Sequence, residues 1–232
     1  MTVARLRLAP RDWDSRVDAW EEVAATDSFR ALRDRLRDEA APAGDERVLD
    51  LGAGTGLLTL ALAPHVASVT ALDISAAMLD RLGAHAVTKG VTNVQLVAAD
   101  MRSLPFDDET FDLVVSNYAF HHLDDSAKEL AASEARRVLR PGGRFVVCDM
   151  MFSLSLQRRD RRLLLAKLRA IAARGPSGLL RIMRNAGRLA AGTWERPAPP
   201  ETWLRILRER HFADVHVQLL HQEAGLVTAR RP

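Results

Sequence analysis

Apolar and polar positions alternate along this chain with two different periods. Positions 10–40 repeat apolar residues at helical spacing: Trp13, Val17, Trp20, Val23 and Ala24, then Phe29, Leu32 and Leu36. This predicts an amphipathic helical segment, read either as core packing or as an N-terminal lid whose aromatic residues wall a pocket. Gly44 and Asp45 then punctuate the entry to a short β-favouring run, Val48 to Leu51, and a glycine-rich turn, Gly52-Ala53-Gly54-Thr55-Gly56, follows it directly. Leu57, Leu58, Leu60 and Ala61 resume the helical pattern. The same strand-then-helix unit recurs. Strands are predicted at 68–72, 94–97, 111–117 and 144–148, and helices at 76–87 and about 126–139. Arg140-Pro141-Gly142-Gly143 stops the second of these helices. Short connections between such units imply a parallel sheet with right-handed crossovers.

The chemistry-bearing residues cluster at the carboxyl ends of the predicted strands, where open α/β sheets bind ligands. Three glycines at alternate positions let a backbone approach something closely, and a strand-to-helix turn aims free N–H groups at it. The competing reading is a tight turn that only packs strand against helix. A dinucleotide fingerprint needs G-x-G-x-x-G, and Leu57 stands where its last glycine belongs, which disfavours a nicotinamide-linked dehydrogenase. Asp73 ends the second strand, 21 residues past Gly52. A carboxylate there can accept both hydroxyls of a ribose; alternatively Asp73 or Ser75 caps the helix from Ala76. Ile74 and Met78 would then supply an apolar wall for an adenine ring. Asp100 ends the third strand and could accept from an exocyclic adenine amine, with Met101 donating from its backbone; alternatively it forms the turn into the polar loop 102–108.

Taken together, Leu-Asp-Leu-Gly-Ala-Gly-Thr-Gly at 49–56, Asp73-x-Ser-x-x-Met-Leu, Asp100 with Leu-Pro-Phe at 104–106, and Leu-Arg-Pro-Gly-Gly-Arg at 139–144 resemble the class I S-adenosylmethionine (SAM)-dependent methyltransferases. The likeness covers roughly residues 45–150 and is to the broad small-molecule group that includes the quinone-biosynthesis methyltransferases. It implies an α/β Rossmann-like doubly wound sheet of seven strands, mostly parallel with an antiparallel last strand, and a helical insertion after strand five. A helix at 201–210 and strands at 212–219 and 226–229 would complete that sheet. The resemblance implies a single domain over 1–232, with a lid at 1–44, a SAM-binding core at 45–150, a cap at 151–200 and a closing helix and hairpin at 201–232. SAM is then the cofactor and S-adenosyl-L-homocysteine the product. The implied cofactor-binding positions are Asp50, Gly52, Ala53, Gly54, Gly56, Asp73, Ile74, Met78, Asp100, Met101 and Asn117. His121, His122 and Tyr118 lie just past the fourth strand, on the acceptor side. Either histidine is a candidate proton acceptor if the methylated atom is a hydroxyl or an acidic carbon. The alternative is that this segment only shapes the methionine end of the cofactor.

Composition narrows this picture. Charged residues make up 27% and apolar residues 47%, ordinary for a globular protein. The single cysteine, Cys148, excludes an intramolecular disulfide and a cysteine-rich zinc site. His211, His216 and His221 show no metal-ligand spacing with an acid or cysteine, so no metal is expected. Arg5 and Arg7 interrupt the N-terminus without an apolar run after them, which points to a cytoplasmic protein. The net charge of +3 conceals an asymmetry. Residues 151–192 hold nine Arg and one Lys against Asp160 alone, about +9, so the rest is negative. Leu179, Ile182, Met183, Ala186, Leu189 and Ala190 would form one helical face, with Arg181, Arg184 and Arg188 opposite. The basic segment is read as a helical cap over the acceptor pocket, or as peripheral membrane contact with anionic lipid. Phosphate contact with nucleic acid is disfavoured, because no aromatic stacking residue follows Phe152 in the segment.

Overall fold

The computed structural model describes residues 13–152, 165, 169, 195–220 and 223–232. Seven strands form one sheet: β1 (Arg47–Leu51), β2 (Ser68–Asp73), β3 (Val94–Ala98), β4 (Phe111–Asn117), β5 (Leu139–Met150), β6 (Ala213–Leu219) and β7 (Ala224–Arg230). Their spatial order is β3-β2-β1-β4-β5-β7-β6. The first five strands are mutually parallel, and β7 runs antiparallel to β5 on one side and to β6 on the other. The expected seven-stranded fold is therefore present, with the C-terminal strand inserted between β5 and the edge strand β6.

Both faces of the sheet are covered, so the central strands are enclosed; all seven residues of β4 are buried, Asp112, Ser116 and Asn117 included. Side chains still separate by face. Leu49, Leu51 and Val114 pack with Phe120, Phe145 and Trp203 on one side. Val48, Leu113 and Val115 pack with Leu36, Leu58 and Leu62 on the other. The first face is covered by α5 (Asp125–Val138) and α6 (Pro200–Glu209), and the second by α2 (Asp27–Ala40) and the short α3 (Thr59–Leu62). Trp203, fully enclosed, is among the largest side chains of the core and is worth roughly 2–3 kcal/mol in apolar burial.

The continuous helical stretch expected at 10–40 is two helices, α1 (Val17–Ala24) and α2, broken at Ala25-Thr26. Thr26 adopts an extended conformation, and its hydroxyl donates to the Val23 carbonyl at 2.8 Å. Val23, expected on the apolar face, is 42% exposed, because α1 packs mainly through Val17, Trp20 and Ala24. The helix α4 (Ala76–Thr88) begins at Ser75, whose hydroxyl accepts from the Met78 N–H at 3.2 Å. Of the alternative caps, Ser75 is the one used. Strand β5 extends further than expected at both ends, from Leu139 through the Pro141–Gly143 turn signal to Met150. Apart from Leu165 and Arg169, both helical, the basic segment from 153 on, with the two-faced helix expected at 179–190, lies outside the described residues. No described helix is long and apolar enough to cross a membrane.

Candidate active site

The glycine turn, Asp73, Asp100, Asn117, Tyr118 and His121 all lie at the carboxyl ends of β1, β2, β3 and β4, on one edge of the sheet. The turn itself differs from expectation. Its N–H groups are not free: those of Gly52 and Ala53 both donate to the Leu72 carbonyl, at 2.8 and 3.0 Å, and that of Gly56 donates to Ala53 at 3.0 Å. The Gly54 N–H donates to Asp73 Oδ2 at 2.8 Å. The turn thus stitches β1 to the end of β2 instead of forming an open cradle for a phosphate. Its glycines are needed on two counts. Gly54 and Gly56 lie in the left-handed region, at φ 54° and 92°. A Cβ at 56 would meet Leu82 Cγ at 2.7 Å, and one at 52 would meet Ala119 Cβ at 2.4 Å, so the packing reading of the turn holds here as well.

Three buried polar atoms around this turn have no hydrogen-bond partner among the described residues: Asp50 Oδ1, Asn117 Oδ1 and the Trp20 indole Nε1. Buried polar groups are ordinarily satisfied, so these three atoms stand out as open hydrogen-bonding capacity. Asp50 Oδ2 accepts from the Thr59 hydroxyl at 2.6 Å. Burial pushes the Asp50 carboxyl up to about 7, against the Thr59 hydrogen bond and with the nearby charge of Asp73 adding to the rise. Burial also raises Asp73, opposed by the N–H groups of Ser75, Gly54 and Ile74. Asp73 Oδ1 accepts the Ser75 N–H at 2.9 Å, which leaves each of its oxygens with acceptor capacity beyond one backbone bond. Met78 is buried and Ile74 half-buried beside it.

Asp100 is engaged in a way the sequence reading missed. Arg102 donates through Nε and Nη2 to both carboxylate oxygens, the shortest contact being 2.6 Å, and its backbone N–H adds a bond at 2.9 Å. Burial favours the neutral acid, yet the Arg102 bonds outweigh it and hold Asp100 below its ordinary value. Asp100 is therefore a permanent anion with its polar edge shared. The Met101 side chain reaches toward Gly52, lying 3.4 Å from where a Cβ there would sit.

The N-terminal segment packs over this edge. Trp20 of α1 faces Gly54. The Ser75 hydroxyl donates to Asp14 at 2.5 Å. Arg81 pairs with Asp18 and Glu21, and His85 bridges Glu21 Oε1 and the Thr55 carbonyl, each at 3.1 Å. An aromatic chain continues to the segment after β4: Trp13 stands edge-on to His122 with centroids 4.5 Å apart, and Phe29 tilts on Tyr118 at 4.8 Å. Tyr118 has φ 57°, a left-handed conformation for a bulky residue, held by its N–H bond to the Cys148 carbonyl at 2.8 Å. Burial, reinforced by Cys148 and Asp149, raises its phenol well above the ordinary value, so Tyr118 stays protonated.

His121 is buried, and its Nδ1 lies 2.6 Å from Asp149 Oδ1. Asp149, near the end of β5, was not among the expected residues. The signal that found Asp73 and Asp100, an acid at the carboxyl end of a predicted strand, also points to it. Behind this loop the buried Lys128 ammonium donates to the carbonyls of Leu123 and Arg196, and the Arg196 N–H donates to the His121 carbonyl at 2.7 Å. The chain thus returns from the basic segment directly against His121. No group of three or more His, Cys, Asp or Glu among the described residues could hold a metal ion.

Comparisons with known proteins agree with this architecture. Residues 48–143 match the family described as "Methyltransferase domain". The chain is 40% identical over 105 residues to an uncharacterized methyltransferase, YcgJ, of Bacillus subtilis, a match covering 45% of this chain and 41% of that one. It is 43% identical over 109 residues to a demethylmenaquinone methyltransferase of Clavibacter sepedonicus, covering 47% and 43%. Each of these matches thus spans less than half of the curated relative's length. The crystal structure of the Bacillus subtilis YcgJ protein superposes with a TM-score of 0.62 at 26% identity, over 82% of this chain and 72% of that one. The matched stretch, residues 48–143, contains the strand-end motifs on which the resemblance rested.

Proposed function

We propose that the protein is a SAM-dependent methyltransferase acting on a small-molecule acceptor. The observation that carries the proposal is the pair of orphaned acceptors, Asp50 Oδ1 and Asn117 Oδ1, buried on the neighbouring strands β1 and β4 toward their carboxyl ends. Acceptors without donors suit a cationic, hydroxyl-bearing ligand, and SAM carries a sulfonium, an ammonium and a ribose diol. Asp73 would hold the ribose. Asp100 and Met101 would meet the adenine edge, with Ile74 and Met78 as its apolar wall. Gly52, Ala53, Gly54 and Gly56 would bring the backbone close, and Asp50 and Asn117 would face the methionine end. When bound, SAM supplies a methyl group on a positively charged sulfur. The chain's own part is to orient that methyl toward the acceptor and to exclude water, with the 13–40 segment as the lid and His121, His122 and Tyr118 on the acceptor side.

Calorimetry with SAM and S-adenosylhomocysteine tests the cofactor assignment. Mass spectrometry of acceptors incubated with methyl-labelled SAM tests the activity. Binding without transfer to any acceptor would favour a SAM-binding module without catalysis, and absence of binding would remove the proposal.

The basic 151–192 segment supports a second reading, in which the enzyme works at an anionic membrane surface on a lipid or quinone acceptor. Sedimentation with phosphatidylglycerol vesicles, lost when Arg181, Arg184 and Arg188 become Glu, would support it. A cytoplasmic enzyme whose basic segment only caps the pocket should not sediment.

A further inference from the structure

Asp149 contributes more than a buried charge. Its side chain is 1% exposed and receives three donors. Oδ2 accepts the His121 backbone N–H at 3.0 Å, and Oδ1 accepts both the Met150 N–H at 2.6 Å and the His121 ring at 2.6 Å. Backbone amides only donate, so Asp149 faces this cluster as an acceptor, and Nδ1 is the nitrogen that carries the proton in a neutral ring. Nε2 then presents a lone pair, and it bonds to no described residue.

Tyr118, Cys148 and Lys128, the other titratable groups near the ring besides His122, are unsuited to taking a proton. On the same segment Tyr118 has its ring centroid 5.8 Å away and is held protonated by burial. His122 lies against the ring at 3.9 Å and contacts Trp13 on its own account. On β5, burial pushes the Cys148 thiol up to about 12, with Asp149 adding to the rise. On α5, Lys128 is committed to the Leu123 and Arg196 carbonyls.

We propose that Asp149 is a positioning residue that fixes His121 as the proton acceptor of the reaction, and that the natural acceptor therefore bears its methyl-accepting atom as a hydroxyl or an acidic C–H. This rests on the methyltransferase reading above. The acceptor's proton passes to His121 Nε2, and the freed electron pair forms the bond to the methyl carbon. The methyl–sulfur bond breaks with its pair left on sulfur, and the imidazolium ion returns its proton to water. An acceptor that presents a free lone pair, such as a thioether or a tertiary amine, needs no such base.

The test uses the full-length protein saturated with S-adenosylhomocysteine. Two-bond 1H–15N spectra of the histidine rings, with His121 identified by its loss in His121→Gln, should show Nδ1 protonated and Nε2 bare once the ring is neutral. Asp149→Asn, whose side chain can turn an NH2 toward the ring, should lose that strict preference for Nδ1 protonation. 4-Nitrophenol added to the wild-type complex should absorb as phenolate at a pH where the free compound is mainly neutral, and that shift should vanish in His121→Gln. A neutral ring protonated at Nε2, an unchanged tautomer in Asp149→Asn, or a 4-nitrophenol spectrum unaltered by the wild-type protein would each overturn the proposal. The first and third rest on wild-type protein and stand even where Asp149→Asn fails to fold. Calorimetry on the same samples separates the two levels. Failure of wild type to bind S-adenosylhomocysteine overturns the methyltransferase reading, while the ring spectra of the ligand-free protein still decide the dyad.

Discussion

The indole of Trp20 lies over Gly54, so close that a Cβ at position 54 would fall 2.9 Å from Nε1 and 3.6 Å from Cδ1. Helix α1 and the glycine turn therefore meet at the turn residue whose N–H is bonded to Asp73. Gly54→Ala adds a left-handed penalty of about 1–2 kcal/mol and pushes Trp20 away. The expected result is a folded protein with S-adenosylhomocysteine affinity reduced at least about tenfold, that is, by about 1.4 kcal/mol or more. Equal affinity in calorimetry would mean that Trp20 and the turn are not part of the cofactor site.

Asp73 holds the turn and is also the proposed ribose acceptor. Asp73→Asn offers one carbonyl and one NH2 to the N–H groups of Gly54 and Ser75, so one of the two donors meets another donor. Losing a charge-assisted bond of about 1.5–3 kcal/mol predicts affinity for S-adenosylhomocysteine lower by roughly ten- to a hundredfold. Unchanged affinity would remove Asp73 from the ribose role.

Asp50 sets a pH dependence whose direction follows from its raised value. A carboxyl at about 7 when folded and 3.8 as a model compound binds its proton more tightly in the folded protein. Its contribution is fully present below about pH 4, falls as pH rises toward 7, and levels off above that. Asp50→Asn keeps an acceptor for Thr59 and removes the buried charge. It should raise the unfolding free energy of the ligand-free protein at pH 8 by about 1–4 kcal/mol and flatten the slope between pH 5 and 7 in urea titrations. An unchanged pH profile would mean that Asp50 is not the group that titrates.

Lys128 is fully buried, and burial lowers its ammonium from the ordinary lysine value, with Asp125, Asp149 and Asp124 opposing. Its Nζ lies 2.6 Å from the Leu123 carbonyl and 2.8 Å from that of Arg196. Lys128→Met leaves two carbonyls without their donor. It should cost about 2–3 kcal/mol of stability by urea denaturation and speed hydrogen exchange at the Arg196 amide, which bonds His121. A loss below about 0.5 kcal/mol would show that these carbonyls find other donors.

The local code of this chain determined its alternation of strands and helices, because periods of 2 and 3.6 residues are read directly from neighbours. It determined that Asp73 and Asp100 stand at strand ends, since Gly, Pro and acidic residues mark where strands stop. It also determined the methyltransferase likeness of the 45–150 core. It did not determine what those residues touch. That the N–H groups of Gly52, Ala53 and Gly54 are spent on Leu72 and Asp73, and that Asp149 grips His121 across 28 positions, are products of the sheet order. That order sets β4 beside β5 and brings two strand ends within hydrogen-bond reach. Likewise the orphaned atoms of Asp50 and Asn117 exist only because both faces of the sheet are covered and water is excluded. Composition cannot report which buried acceptor lacks a donor; only packing decides it.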